Sequence, residues 1–341
     1  MNRLRRACLP LLAATLLLSG LAGNASAEDR TDPAGTRTAD AQLSGGAAAL
    51  AALADTDPAA ALEEYWTPER MARALPADNL VPGAADAADT TPAAQVPGDS
   101  GGEPGSTEPA PPLRQEGGDV SAALTETPVV GRVFYTNPNN GGDYWCSAGA
   151  LNSDSKQMLV TAGHCVNVGG SNGNAGAWMT NWTYVPRYRE GARPFGTFAA
   201  KQFRSFNGWI NNSNFEWDVA MVTTWPLNGN KLVNVTGGHG LSWNYSRSQA
   251  VTIWGYPGNH ASGQVQWWCQ GTTVDSGGRL RLDCNFGGGS SGGPWLRVYN
   301  DSTGLGQVNG VTSTVDSAGA NRSPYFGDSV KEMFDAQGSY T

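Results

Sequence analysis

The chain has 341 residues and a formal net charge of −8, with three histidines, five cysteines and twelve tryptophans. The acidity is regional: residues before 128 hold 18 acidic and 8 basic side chains, and those from 128 onward hold 12 and 14. Neither part carries the basic stripe of a nucleic-acid-binding surface, and nothing beyond Gly23 is long and apolar enough to cross a bilayer.

Met1-Asn2-Arg3-Leu4-Arg5-Arg6 is basic, Ala7 to Gly23 is mostly apolar, and Ala25-Ser26-Ala27 has the small residues that a signal peptidase prefers. Residues 1–27 therefore read as a secretory signal cleaved after Ala27. The Ala-x-Ala site argues against the alternative, a retained membrane anchor. A secreted, extracellular protein is expected, free of the membrane after cleavage.

Residues 28–127 are rich in Ala, Pro, Asp and Glu. One helix is predicted near Pro68 to Leu75, with Thr67 as its cap and Pro68 at the first helical position. The stretch from Pro76 to Glu116 has too little apolar content to bury a core and is expected to be disordered. In an exported chain this region reads as an acidic pro-segment and linker; a spacer kept in the mature protein is the alternative.

The texture changes from Pro128. Eleven of the twelve tryptophans lie beyond it, and short apolar runs alternate with Gly/Asn turns: Val129 to Tyr135, Met158 to Thr161, Val219 to Thr223, Val251 to Trp254, Leu280 to Leu282 and Trp295 to Val298. Many short strands indicate an all-β sandwich or barrel, and the 214 residues of 128–341 suffice for one large β domain or two packed barrels. Ser329-Val330-Lys331-Glu332 fits a capping box, so a terminal helix with Val330, Met333 and Phe334 on its apolar face is predicted.

Cys8 leaves with the signal. The other four cysteines imply two disulfides in an oxidising compartment, with three possible pairings. Neighbour pairing, Cys146–Cys165 and Cys269–Cys284, closes two short loops and is the expected arrangement. With no Cys-x-x-Cys and no Cys/His cluster, no metal is expected; no cofactor is expected either.

Two strings carry the chemistry. Thr161-Ala162-Gly163-His164-Cys165 places a histidine at the end of a strand-like run, and Gly289-Ser290-Ser291-Gly292-Gly293-Pro294 places a serine in a glycine-rich turn. A serine hydroxyl needs a base to take its proton, and His164 is the candidate. In the turn, the N–H groups of Gly289 and Ser291 are candidates for an oxyanion hole. Trp217-Asp218-Val219-Ala220-Met221 supplies a carboxylate to orient the imidazole. A structural histidine, a flexible Gly/Ser linker and a turn aspartate are the bland readings of these three strings.

The order His, Asp, Ser and the three strings resemble the chymotrypsin-like serine peptidases: TAGHC resembles their TAAHC, DVAM their DIAL, and GSSGGP their GDSGGP. The resemblance covers residues 128 to 341. It implies two packed six-stranded antiparallel β-barrels, with Ser291 as nucleophile, His164 as base then acid, and Asp218 as orienter. It also implies that Ser313 supports Asp218. Trp254-Gly255-Tyr256-Pro257-Gly258-Asn259 resembles the bacterial glutamyl-endopeptidase, V8-like, branch. A secreted serine endopeptidase made as a zymogen follows, acting as a monomer on protein or peptide substrates, with its own pro-segment as partner.

The departures matter. Ser290 stands where digestive members have the aspartate that pairs with a freed N-terminus, so control should fall to pro-segment removal. Thr312 stands where glutamate-specific members have a histidine, and Asn285 stands where trypsin-like members have an aspartate, although Asp283 could approach the pocket. These imply a neutral, polar S1 pocket. A non-catalytic binding protein on the same fold, using aromatics such as Trp267-Trp268, and a secreted esterase are the competing readings. The esterase pattern Gly-x-Ser-x-Gly is met, but its triad runs in another order.

Overall fold

The computed structural model describes residues 35–54, 58–77, 101–113 and 126–341. The signal sequence therefore lies outside the described residues. In chain order the first elements are β1 (Thr36–Asp40), α1 (Gly45–Ala54), α2 (Pro58–Tyr65), α3 (Pro68–Arg73), β2 (Leu75–Pro76) and β3 (Gly105–Ser106). Next come β4 (Val130–Thr136), β5 (Asp143–Leu151), β6 (Met158–Thr161), β7 (Thr180–Pro186), β8 (Phe198–Phe206), α4 (Asn207–Asn212) and β9 (Ala220–Thr224). The remainder is α5 (Leu232–Thr236), β10 (Gly240–Trp243), β11 (Ala250–Gly255), β12 (Trp267–Thr272), β13 (Val274–Ser276), β14 (Arg279–Leu282), β15 (Pro294–Asn300), β16 (Leu305–Val311), β17 (Thr314–Val315), β18 (Asn321–Ser323) and α6 (Asp328–Gly338).

β4 to β9 pair antiparallel in the cyclic order β4-β5-β6-β9-β8-β7, and β7 pairs β4 again. Within the ring β6 pairs β5 only from Gly149 to Leu151 and β7 pairs β8 only at Phe198 and Ala199, so the other ends of β5 and β8 keep edges that β2 and β1 take up. Successive strand residues face opposite sides, and β4 shows why its sequence is continuously apolar. Val133 and Tyr135 fill the barrel interior, while Phe134 turns outward into a cluster with Trp66, Met71 and Leu62 of the preceding segment.

The second half is hydrogen-bonded as two sheets rather than as one closed ring. One runs β12-β11-β15-β16-β10-β3 and the other β13-β14-β18-β17. Val251 and Ile253 of the first meet Leu280 of the second, with Phe286 and Trp295 between them. β10 joins β16 in parallel, Gly240 opposite Gln307. The β15–β16 ladder shifts register between Trp295 and Leu296 and again between Arg297 and Asn300. Such bulges bend and twist a strand. Val298, inside the second irregularity, has φ 49°.

The helix expected near Pro68 is present. Thr67 Oγ1 accepts from Arg70 N–H at 3.2 Å, and Pro68 occupies the first turn. The segment before residue 128 holds more structure than its composition suggested. β1 pairs with β8 from Thr36–Phe206 to Asp40–Gln202, and α1 and α2 pack together on the first barrel. The terminal helix α6 buries Val330, Met333 and Phe334, but it begins at Asp328 with Gly327 as its cap, so Ser329 lies inside it. Ser329 therefore lies two positions past the cap, too far into the helix to cap a box.

Thr127 is tied to a residue far along the chain. It is fully buried, its N–H donates to Gln266 Oε1 at 2.8 Å, and Gln266 Nε2 donates to the carbonyls of Thr127 and Val130.

Candidate active site

His164 sits in a single 3₁₀ turn, Gly163–Cys165, directly after β6, and is almost fully buried. The turn lets the His164 backbone N–H reach Asp218 Oδ1 at 2.8 Å while the ring Nδ1 meets Asp218 Oδ2 at 2.8 Å. Asp218 lies at the C-terminal end of another 3₁₀ turn, Phe215–Trp217, just ahead of β9, and is fully buried. Ser313 Oγ donates to Asp218 Oδ2 at 2.6 Å. Three donors thus converge on one carboxylate. The Nδ1 contact requires a proton on that nitrogen, which leaves Nε2 as the basic atom of the neutral ring. Trp209 lies 5.9 Å from the imidazole, centroid to centroid, and anchors itself by Nε1–H donation to Asn167 O. Of the four groups that sequence placed together, His164, Asp218 and Ser313 are joined directly, and the Ser291 carbonyl lies 3.7 Å from Sγ of Cys165, the residue after His164.

Ser291 is fully buried, and its carbonyl accepts from Ser147 N–H at 2.7 Å. Its neighbours show why the turn needs glycine. Gly292 has φ 80°, and a β-carbon there would lie 2.0 Å from Thr161 Oγ1 and 2.3 Å from Ser147 O. Gly289 has φ 88°, and a β-carbon there would lie 2.0 Å from Trp145 Nε1.

Both peptide planes of Gly289 are held. Gly258 N–H donates to Gly288 O at 2.6 Å, and Ser147 Oγ donates to Gly289 O at 2.9 Å while accepting from Tyr256 N–H at 2.9 Å. In a trans peptide the N–H points opposite to the C=O. Gly289 N–H is thus turned away from Gly258. Sequence reasoning did not single out Trp145 and Ser147, and it read Gly258 only as part of a family motif. Their position beside Cys146, and the match of Gly255-Tyr256-Pro257-Gly258 to a known motif, were the available signals.

Ser290 is buried, and its hydroxyl donates inside the loop to Gly287 O at 2.7 Å and Phe286 O at 3.3 Å. Thr312 is buried too, and its Oγ1 accepts from Trp295 Nε1–H at 3.0 Å. Asn285 is exposed, and its carbonyl accepts from Asn259 Nδ2 at 2.9 Å and meets His260 Nε2 at 3.2 Å. Asp283 is exposed and pairs with Arg281 at 3.0 Å. Trp267 and Trp268 are half-exposed on β12, Trp267 stacking on His260 at 4.6 Å.

The disulfides join Cys146 to Cys165 and Cys269 to Cys284. The first brings Cys146, His164 and Cys165 within 4.8 Å of one another, a grouping with metal-ligand chemistry in name. Its sulfurs are bonded to each other, and only a free thiolate ligates.

No family model matches the chain. The structure is similar to that of protease Anisep from Arthrobacter nicotinovorans, at 30% identity and TM-score 0.57, covering 64% of this chain and 98% of that one. It is also similar to the thermostable serine protease AL20 from an extremophilic microorganism, at 28% identity and TM-score 0.57, covering 63% and 99%. The chain belongs to the chymotrypsin-like serine protease family.

A Glu endopeptidase shares the fold of this chymotrypsin-like protease at 18% identity and TM-score 0.50, covering 70% and 98%. An extracellular metalloprotease of Bacillus subtilis (strain 168) is 26% identical over 170 residues, 48% of this chain. The match spans half the length of that relative.

Proposed function

We propose that the protein is a secreted serine endopeptidase, made with an N-terminal pro-segment, that hydrolyses peptide bonds through an acyl-enzyme intermediate. The observation that carries this reading is the double hold of the fully buried Asp218 on His164, through the ring Nδ1 and the backbone N–H, with the Ser291 carbonyl 3.7 Å from Sγ of the adjoining Cys165.

In this mechanism Ser291 Oγ attacks the peptide carbonyl carbon and its proton passes to His164 Nε2. Asp218 stabilises the imidazolium without taking the proton. The developing oxyanion is bound by the N–H groups of Gly289 and Ser291, each donor contributing roughly 2.7–4 kcal/mol. The tetrahedral species then expels the amine, which takes the proton from His164, and water hydrolyses the acyl-serine by the same route in reverse. Gly258 N–H donation to Gly288 O at 2.6 Å and Gly293 N–H donation to Ser290 O at 2.9 Å support this reading because they hold the two peptides that carry the Gly289 and Ser291 N–H groups before substrate arrives.

Secretion is supported by the basic and apolar start of the sequence with its Ala-x-Ala site, and by the name of the extracellular relative. A neutral S1 pocket is supported by Thr312, whose hydroxyl is engaged by Trp295, and by Asp283, which is engaged by Arg281. Peptide-library profiling should then show no strict demand for Glu, Lys or Arg at the cleaved residue. Covalent labelling with a fluorophosphonate tests the reaction itself. The processed wild type should be labelled, whereas Ser291→Ala and His164→Ala should not. An unlabelled wild type would leave the fold as a binding scaffold.

A further inference from the structure

Three residues of the segment before 128 sit against the groups that border Ser291. β2 takes an edge of β5 in parallel, Leu75 level with Tyr144 and Pro76 level with Trp145. One step further along that register brings Ala77 level with Cys146. Ala77 is fully buried, in the same apolar cluster as Cys146, Ala162 and Cys165. Pro76 faces Gly258, its Cβ 3.8 Å from where a β-carbon on Gly258 would lie. Each of these neighbours has a stated part in the site. Trp145 lies against Gly289, Gly258 fixes the Gly288 carbonyl, and Cys165 follows His164 directly.

We propose that Leu75-Pro76-Ala77 is an inhibitory plug, seated along the wall of the cleft made by Trp145 and the Cys146–Cys165 disulfide. A cut between residues 113 and 126 does not by itself dislodge it. The occupant is this chain's own segment, and the surface it covers is the β5 edge, a strand-addition site of the kind that binds extended peptides. The inference rests on reading Ser291 as the nucleophile.

The plug is anchored well away from the cleft. β1 is laddered onto β8, Arg204 donates to Thr36 Oγ1 at 3.0 Å, Trp66 Nε1–H donates to Asn181 O at 2.7 Å, and Arg70 pairs with Asp143 at 2.7 Å. Trp66 and Met71 are fully buried against the barrel. A second anchor grips the other half. Ala110 exchanges two backbone hydrogen bonds with Gly238, and Thr107 N–H donates to Leu241 O at 2.8 Å. Because these holds are non-covalent and spread over both halves, severing the chain beyond them leaves the plug in place. Release of the docked segment, or its further digestion, becomes the step that exposes Ser291.

The test compares fluorophosphonate labelling rates of the intact full chain, the chain nicked between 113 and 126, and the full-length variant Ala77→Arg, whose side chain cannot occupy that buried position. The expected result is slow labelling of intact and nicked wild type, with both nicked fragments co-eluting on size exclusion. Ala77→Arg should be labelled at least about tenfold faster, with the thermal transition of the body retained. Trp66→Ala, which loosens the anchor, should shift the rate the same way if Ala77→Arg does not fold. Intact wild type labelled as fast as both variants overturns the plug. So does a nicked chain that is labelled rapidly while its fragments stay together. If no form is labelled even after the pro-segment is digested away, the nucleophile reading fails and takes the plug with it.

Discussion

Asp218 accepts from His164 twice and from Ser313 once without any exposure to water, so its two oxygens have no spare role. Asp218→Asn would set an amide N–H against one of those donors and favour the wrong imidazole tautomer. The expected loss in kcat is on the order of 10⁴-fold with the fold retained, read from steady-state hydrolysis beside a melting curve. Gly289→Ala should reduce kcat by roughly 10²–10³-fold, since the added methyl collides with Trp145 and the φ of 88° disfavours any L side chain. Residues such as Gly289, Gly292 and His164 were legible in sequence because their local geometry demands those residue types in adjacent positions. Trp145 and Ser147 were not, because they act on a loop more than 140 positions away, and neighbouring residues carry no trace of that. Arg132 illustrates the same limit. It is fully buried among Phe134, Trp145 and Tyr188, and none of its side-chain nitrogens meets an acceptor among the described residues. Burial lowers its pKa to about 10.

At the scale of elements, the body from β4 onward was readable from its runs of apolar residues and turn signals, whereas of the helices ahead of it only α3 was, through its Thr67 cap and Pro68. α1, Gly45–Ala54, is nearly all Ala and Gly and has no polar face. Short helices gain most of their stability from tertiary docking rather than from propensity, and the surface that α1 and α2 dock on is assembled from strands far along the chain. Trp66→Ala should therefore cost about 3–5 kcal/mol, the usual range for truncating a buried Trp, measured as loss of the pro-segment's docking and of global stability in urea. β15 offers an opposite prediction. Val298 is exposed and β-branched at φ 49°, a conformation such residues rarely adopt. Val298→Gly should raise stability by up to ~1 kcal/mol by relieving that strain, with denaturant titration as the check. The parallel pairing of β10 with β16 had no sequence signature, since pairing partners are set by the path of the chain between them.

For the molecule as a whole, the junction of its halves is sensitive to acid. His239, beside Leu151 of the first barrel, is fully buried, and its Nδ1 accepts from Gly306 N–H of the second half at 3.3 Å. Burial lowers its pKa from 6.5 to about 3. The folded state therefore holds it neutral where the unfolded chain already binds a proton. Its effect on stability is absent above pH 6.5 and grows as pH falls from 6.5 toward 3, destabilising by about 1.4 kcal/mol per pH unit at most. Unfolding of wild type should steepen in this window relative to His239→Gln, measured as the difference in ΔG between pH 7 and pH 5.

The Ser290 hydroxyl closes the nucleophile loop on itself, through Gly287 and Phe286, with no call on a charged chain end. In the proposed zymogen, the first residue of the processed form is then chemically irrelevant to the shape of that loop. If the chain is processed as proposed, the cut can fall at any of several positions between 113 and Thr127, whose own N–H is held by Gln266. Once the docked segment is released, forms of the proposed protease whose N-termini differ by a few residues should turn over substrate uniformly.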